Sequence, residues 1–158
     1  MDQERQAFMM EAVRLAERNV TSGNGGPFGA VIVKDGRIIA TGVNEVTKKA
    51  DPTAHAEVQA IREACSVLGT FQLTDCELYT SCEPCPMCFG AIYWARPKAV
   101  YYAGTKQEAA AVSFDDHFIY EELERTPEAR KLPMVRLTPY GYHAPFDAWL
   151  ASEKKVEY

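Results

Sequence analysis

The amino-acid sequence predicts an α/β fold in which a sheet is covered by helices. Two observations carry that expectation. Between residues 28 and 103, short strand-like apolar runs alternate with amphipathic helical stretches, the order in which helices come to pack against a sheet. The 158 residues, 47% of them hydrophobic and 25% charged, suit one domain spanning 1–158 with a core that needs no staples. No repeat, low-complexity tract or long linker divides the chain.

The first element is a helix in DQERQAFMMEAVRLAERNV. Phe8, Ala12, Leu15 and Ala16 recur there at helical spacing, Asp2 serves as N-cap, and TSGNGGP stops the pattern. FGAVIVKDGRIIATGV follows as a hairpin, since Asp35-Gly36 suits the positive backbone angles of a tight turn. In DPTAHAEVQAIREACSVLG the spacing predicts a helix opened by Asp51-Pro52-Thr53 and closed by Gly69, with Val58, Ile61, Cys65 and Leu68 as its apolar stripe. CELYTS reads as a strand, PMCFGAIYWA as a helix begun by proline, and KAVYYAG as another strand. In the last third, DDHFIYEELERT reads as a helix, PMVRLTP as a strand, and PFDAWLASEKKVEY as a final helix or tail.

A net charge of −5 disfavours a phosphate-backbone partner. Asp2, Glu4, Arg5, Glu11, Arg14, Glu17 and Arg18 interrupt the start of the chain, so no secretory leader is read there. No run approaches the roughly 20 apolar residues of a membrane span. Five cysteines without a leader point to a reducing, cytoplasmic setting, where clustered thiols bind metal or catalyse before they form disulfides.

TSCEPCPMC, residues 80–88, separates Cys82, Cys85 and Cys88 by two residues each. That spacing fits a closed structural metal site, a redox pair, or a metal left open for chemistry. Cys85 and Cys88 open one helix, and His55 in TAHAEV opens another. Helix starts favour thiolate over thiol, and His with two Cys is a donor set zinc prefers. Structural zinc closes its fourth position with protein, whereas catalytic zinc keeps it for water. Cys82 is the residue that could close it, but it ends a strand, and Pro84 and Pro86 stiffen the chain that follows. Burial as a small apolar side chain is the ordinary fate of such a cysteine, so Cys82 reads as a bystander, and Cys65 and Cys76 as core. Glu57 lies two residues after His55 and off its helix face. It reads as a group that takes a proton from the metal's water and returns it. The competing reading is an exposed first-turn glutamate favoured by the helix dipole.

His55-Ala56-Glu57 followed by Pro84-Cys85-Pro86-Met87-Cys88 matches the zinc-deaminase signature. On those residues the chain resembles the cytidine-deaminase-like superfamily over almost its whole length. GGPFGAVIVKDG, DPTAHAEV, YTSCEPCPMC and GAIYWARPKAV are similar to stretches of bacterial guanine deaminases, and so is KKVEY, with one extra residue before the final Glu-Tyr. The resemblance implies a three-layer α-β-α fold with a mixed sheet of about five strands, zinc held by His55, Cys85 and Cys88, and Glu57 as proton shuttle. It further implies that Asn44 holds the base, Phe28 and Trp94 line the pocket, the backbone at Ala56 lies against substrate, and Asp116 meets the guanine edge. It also implies a homodimer whose C-terminal segment, about 140–158, is swapped so that Tyr158 caps the partner subunit's site. Each residue has a plainer reading: Asn44 as a turn residue, Phe28 and Trp94 as core aromatics, Asp115 or Asp116 as a helix cap, Tyr158 as a frayed end. His117 and His143 receive no role, and Glu121 to Arg125 read as a solvated face.

The implied reaction is hydrolysis of guanine to xanthine and ammonia. A carboxylate at Asp116 suits the N–H donors of guanine; adenine would face it with acceptors. Deaminases of adenosine in transfer RNA, of cytosine and of guanosine share the motifs and stand as alternatives. The acidic charge and the YEELERTPE segment count against a transfer RNA. The reading from another class is a zinc-stabilised interaction protein without turnover, which requires Cys82 as fourth ligand or a Glu57 that faces solvent.

Overall fold

Strands β1 (Gly29–Lys34) and β2 (Arg37–Val43) form the expected hairpin in the computed structural model, which describes residues 2–158. Asp35 and Gly36 turn the chain with φ of 50° and 70°, the positive pair that a two-residue turn between twisted strands requires. β3 (Cys76–Cys82) lies antiparallel against β1, and β4 (Ala99–Gly104) lies parallel to β3, so the mixed sheet runs β2-β1-β3-β4. A parallel neighbour needs a crossover, and the helix at Pro86–Ala95 provides it.

The helices are α1 (Asp2–Thr21), α2 (Val46–Lys49), α3 (Ala56–Leu68), α4 (Pro86–Ala95), α5 (Lys106–Ala111), α6 (His117–Glu124) and α7 (Ala144–Ala151). Alternation along β1 sorts them into layers. Ala30 and Ile32 pack with Ala56, Ala60 and Ala64 of α3 and with Ile92 and Ala95 of α4. Val31 and Val33 point the other way, to Ala12, Phe8, Met9 and Leu15 of α1, with Tyr79 and Tyr101 from the sheet. The result is the three-layer α-β-α arrangement, with α3 and α4 on one face and α1 on the other. The described residues divide into two compact units, one ending at Asp116 and containing the sheet, the other running from His117 to Tyr158 with α6 and α7. Among the described residues no helix is long and apolar enough to cross a membrane.

Four local expectations are corrected. Asp2 lies within α1 and is not the N-cap. α3 begins at Ala56, not at Asp51, because the Asp51 carboxylate accepts hydrogen bonds from Thr53 N and Oγ1 at 2.9 and 2.7 Å and holds 51–53 in a turn. The buried residues of α3 are Ala56, Glu57, Ala60 and Ala64, while Ile61, Cys65 and Leu68 flank them half-buried. Small residues occupy the centre because α3 rides directly over Gly42 of β2, where a Cβ would meet Ala60 N at 2.5 Å and Ala56 O closer still. Finally, PMVRLTP is not a strand: the segment has no regular structure, and Val135 and Leu137 are 78% and 81% exposed.

Candidate functional site

The end of β3 and the starts of α3 and α4 converge. His55 is the N-cap residue of α3, in extended backbone (φ −74°, ψ 156°), and its ring makes no capping hydrogen bond. Cys85 is the N-cap of α4 (φ −66°, ψ 168°), followed by Pro86, whose fixed φ suits a first helical position. Its Sγ accepts from Cys88 N at 3.5 Å, which turns the buried Cys88 back towards it. His55 Nδ1 lies 3.5 Å from Cys85 Sγ and 3.5 Å from Cys88 Sγ, and all three donor atoms lie within 4.8 Å of one another.

These separations test the fit of a metal. A tetrahedral zinc with bonds of about 2.3 Å to sulfur and about 2.05 Å to nitrogen places N and S about 3.6 Å apart. The two observed N–S separations of 3.5 Å match that edge. Electrostatics agrees. Interaction with Cys88, and then the hydrogen bond with His55, lowers the Cys85 thiol to about 4, whereas Cys88 is raised by its interaction with Cys85, by burial and by the charge of Glu57. His55 is raised, chiefly by its hydrogen bond with Cys85. Two adjoining thiols share a proton in this way until a divalent cation offsets both charges.

Glu57 stands beside this group and is 6% exposed, so the solvent-facing reading fails. Its Oε1 accepts from Thr80 Oγ1 at 3.1 Å, and its Oε2 accepts from Cys88 Sγ at 3.4 Å. Burial holds its carboxyl above the usual carboxylate range, and those two hydrogen bonds work against the rise. A buried carboxyl that gains and loses a proton readily is what general acid–base chemistry uses. Cys82 lies outside the three-residue group; its thiol donates to Thr105 O at 3.8 Å and is pushed up to about 11, mainly by burial.

The other expected residues differ in burial and in their partners. Asn44, 8% exposed, follows β2; its Oδ1 accepts from Val46 N at 3.3 Å and its N–H donates to Phe28 O at 3.1 Å. Phe28, half-buried, meets Phe114 edge-on with centroids 5.0 Å apart. Asp116, half-buried, has its carboxyl raised by burial and by the charge of Cys85 nearby. Ala56 is fully buried as the first residue of α3. By contrast, Trp94 projects from α4 with 61% exposure, and Tyr158, in the second unit, is 68% exposed. Thr80 and Phe114 were not singled out by sequence. Alternation along CELYTSC puts Thr80 on a buried face, the signal that could have found it.

The comparisons with known proteins agree with this geometry. A family model of the cytidine and deoxycytidylate deaminase zinc-binding region matches residues 2–104. The guanine deaminase of Bacillus subtilis strain 168 is 59% identical over 153 residues, covering 97% of this chain and 98% of its own. The X-ray structure of guanine deaminase from Bacillus subtilis superposes with a TM-score of 0.95 at 59% identity, over 97% of this chain and 98% of that one. The tRNA-specific adenosine deaminase of Aquifex aeolicus strain VF5 is 45% identical over 107 residues, covering 67% of this chain and 70% of its own. With a zinc-shaped His-Cys-Cys cluster and a family match over most of its length, this chain belongs to the zinc-dependent cytidine and deoxycytidylate deaminase family.

Proposed function

We infer that this protein is a zinc-dependent aminohydrolase that converts guanine and water to xanthine and ammonia. The observation that carries the reading is the nearly end-to-end match to a guanine deaminase, at 59% identity over 97% of the chain. His55, Cys85 and Cys88 hold the ion. Zinc, when bound, lowers the pKa of a coordinated water towards about 7 and so supplies a nucleophile at neutral pH.

Glu57 moves the protons. Its carboxylate takes one from the water and passes it to a ring nitrogen of guanine, which makes the carbon bearing the 2-amino group more electrophilic. Water oxygen bonds to that carbon, and Glu57 then carries the remaining proton of that oxygen to the amine, so that ammonia leaves as the C–N bond breaks and the oxygen becomes the new carbonyl. Thr80 holds Oε1 of this carboxyl in place throughout. Asn44 and Asp116 bind the base, Asp116 by accepting from the guanine N–H edge. The backbone at Ala56 lies against it, and Phe28 and Trp94 form apolar walls. The aromatic pairing of Phe28 with Phe114, two residues before Asp116, supports a shared base-binding surface.

Residues 1–158 act as one deaminase domain in a homodimer whose C-terminal segment, about 140–158, is exchanged so that Tyr158 caps the partner's site. Phe146, Leu150, Val156 and Tyr158, at 68%, 71%, 60% and 68% exposure, support a tail that packs onto another chain. All five cysteines are free, which supports a cytoplasmic setting. Ammonia release measured with guanine, adenine, cytosine and guanosine side by side tests the assignment. Turnover of guanine alone is expected, and turnover of adenine or cytosine in its place would end it.

Identity to a tRNA-specific adenosine deaminase over two thirds of the chain supports a second reading. The net charge of −5 argues against it. A salt-sensitive complex with transfer RNA in a gel-shift assay would restore it.

A further inference from the structure

Near the end of α1 lies a buried carboxamide with no place in the chemistry above. Asn19 is 4% exposed. Its Nδ2 donates to Gly26 O at 2.8 Å and to Asn44 O at 2.9 Å, and its Oδ1 accepts from Asn24 Nδ2. Its own backbone carbonyl accepts from Asn24 N at 3.0 Å and Gly25 N at 3.2 Å. Both amide protons and the carboxamide oxygen are therefore engaged, which is the condition for burying such a group without a large desolvation penalty.

What these bonds join is specific. One side is the loop 24–28, which carries Phe28; the other is the backbone of Asn44. The loop and Asn44 also touch directly. Asn44 N donates to Phe28 O at 3.1 Å. A Cβ at Gly25 would collide with Asn44 O and lie 3.1 Å from Asn19 Nδ2, so only glycine lets the three segments approach this closely. A Cβ at Gly26 would lie 3.5 Å from both Asn44 Cγ and the Phe28 ring. Asn19 thus ties together the segments that carry Phe28 and Asn44, and its hydrogen bonds go to Gly26, Asn44, Asn24 and Gly25 rather than to His55, Cys85, Cys88 or Glu57.

We propose that Asn19 is a positioning residue for nucleobase binding, holding Phe28 and Asn44 in a fixed relation to each other. The proposal rests on the reading that those two side chains contact the base. Loss of positioning lowers ground-state affinity and leaves the proton-transfer machinery intact, so KM moves more than kcat.

The test compares zinc-loaded wild type with Asn19→Ala, Asn19→Ser, Asn44→Ala and Val33→Ala. The last removes packing from the α1-side core and serves as a destabilised control. Asn19→Ala is expected to raise KM for guanine by about tenfold, the equivalent of one lost hydrogen bond, with kcat within about threefold and zinc content unchanged. Asn19→Ser, which keeps one donor, is expected to fall between, and it answers the question if Asn19→Ala does not fold. The double variant Asn19→Ala/Asn44→Ala is expected to raise KM by less than the product of the single effects, as coupled groups do. An unchanged KM in both folded Asn19 variants overturns the proposal, as does a KM rise of equal size in Val33→Ala. If Asn44→Ala itself leaves KM unchanged, the underlying reading of Asn44 fails and the proposal with it. If Asn44→Ala raises KM and the Asn19 variants do not, the proposal alone fails.

Discussion

Replacing Gly42 by alanine probes how closely α3, the helix that His55 caps, must lie on the sheet. The added Cβ would sit 2.5 Å from Ala60 N and 3.1 Å from Ala60 Cα, with Ala56 O closer than either. Non-bonded heavy atoms rest at about 3.5 Å, so α3 must retreat by about 1 Å. His55 caps that helix and Glu57 sits in its first turn, whereas Cys85 and Cys88 belong to α4 and stay behind. Overpacking of this kind costs about 1–3 kcal/mol, which for a domain of this size lowers Tm by roughly 2–4 °C per kcal/mol. A 1 Å displacement of catalytic groups costs up to about 100-fold in rate. Gly90 supplies the control: a Cβ there would meet nothing within 4 Å, so Gly90→Ala is expected to be neutral or to stabilise α4 by about 0.5–1 kcal/mol. The assays are a thermal melt of the zinc-loaded protein, zinc content, and ammonia release from guanine. A Gly42→Ala protein with unchanged Tm and full turnover would refute the close-approach reasoning.

Glu57→Gln keeps the volume of the side chain and removes its proton-carrying capacity; retained zinc with turnover down about 100-fold or more is expected, and near-normal turnover would remove Glu57 from the mechanism. Thr80→Val takes the hydroxyl from Glu57 Oε1 at 3.1 Å; kcat is expected to fall about tenfold with zinc still bound, as read by steady-state kinetics and metal analysis. Stripping the metal with a chelator should lower Tm and abolish turnover, and added zinc should restore both, because an ion that binds only the folded chain stabilises it by mass action. Cys82→Ser should leave zinc content at one ion per chain, since that thiol bonds to Thr105 O and not to the His-Cys-Cys group; loss of the ion would make Cys82 a ligand after all.

The hairpin, the proline-opened α4 and the grouping of His55 with Cys85 and Cys88 were readable in the sequence because each rests on a local rule: a turn dipeptide, a fixed φ, a short spacing. The fully buried centre of α3 was not, although Ile61, Cys65 and Leu68 of the expected stripe do pack against the core. Hydrophobicity favoured Val58, Ile61, Cys65 and Leu68, but the contact with Gly42 selects residues for small size, which no hydropathy pattern reports. Asn19 and Thr80 escaped for a related reason: each is a polar residue with one partner far away in the chain, Asn44 O for Asn19 and Glu57 Oε1 for Thr80. PMVRLTP shows the converse. Its alternation suits a strand, yet a strand exists only where another offers its N–H and C=O groups, and pairing is not encoded in one segment.

The sheet acts as a partition between two workplaces. His55, Cys85, Cys88 and Glu57 stand on the α3–α4 side, and the packing of Val31, Val33 and Tyr79 against α1 stays on the other. Sequence drift among those α1-side apolar residues can therefore tune robustness without touching the reaction. Asn19 departs from that division: near the end of α1 its carboxamide bonds to the backbone of Gly26 and Asn44, so this layer also grips the loop before β1 and the residue that follows β2.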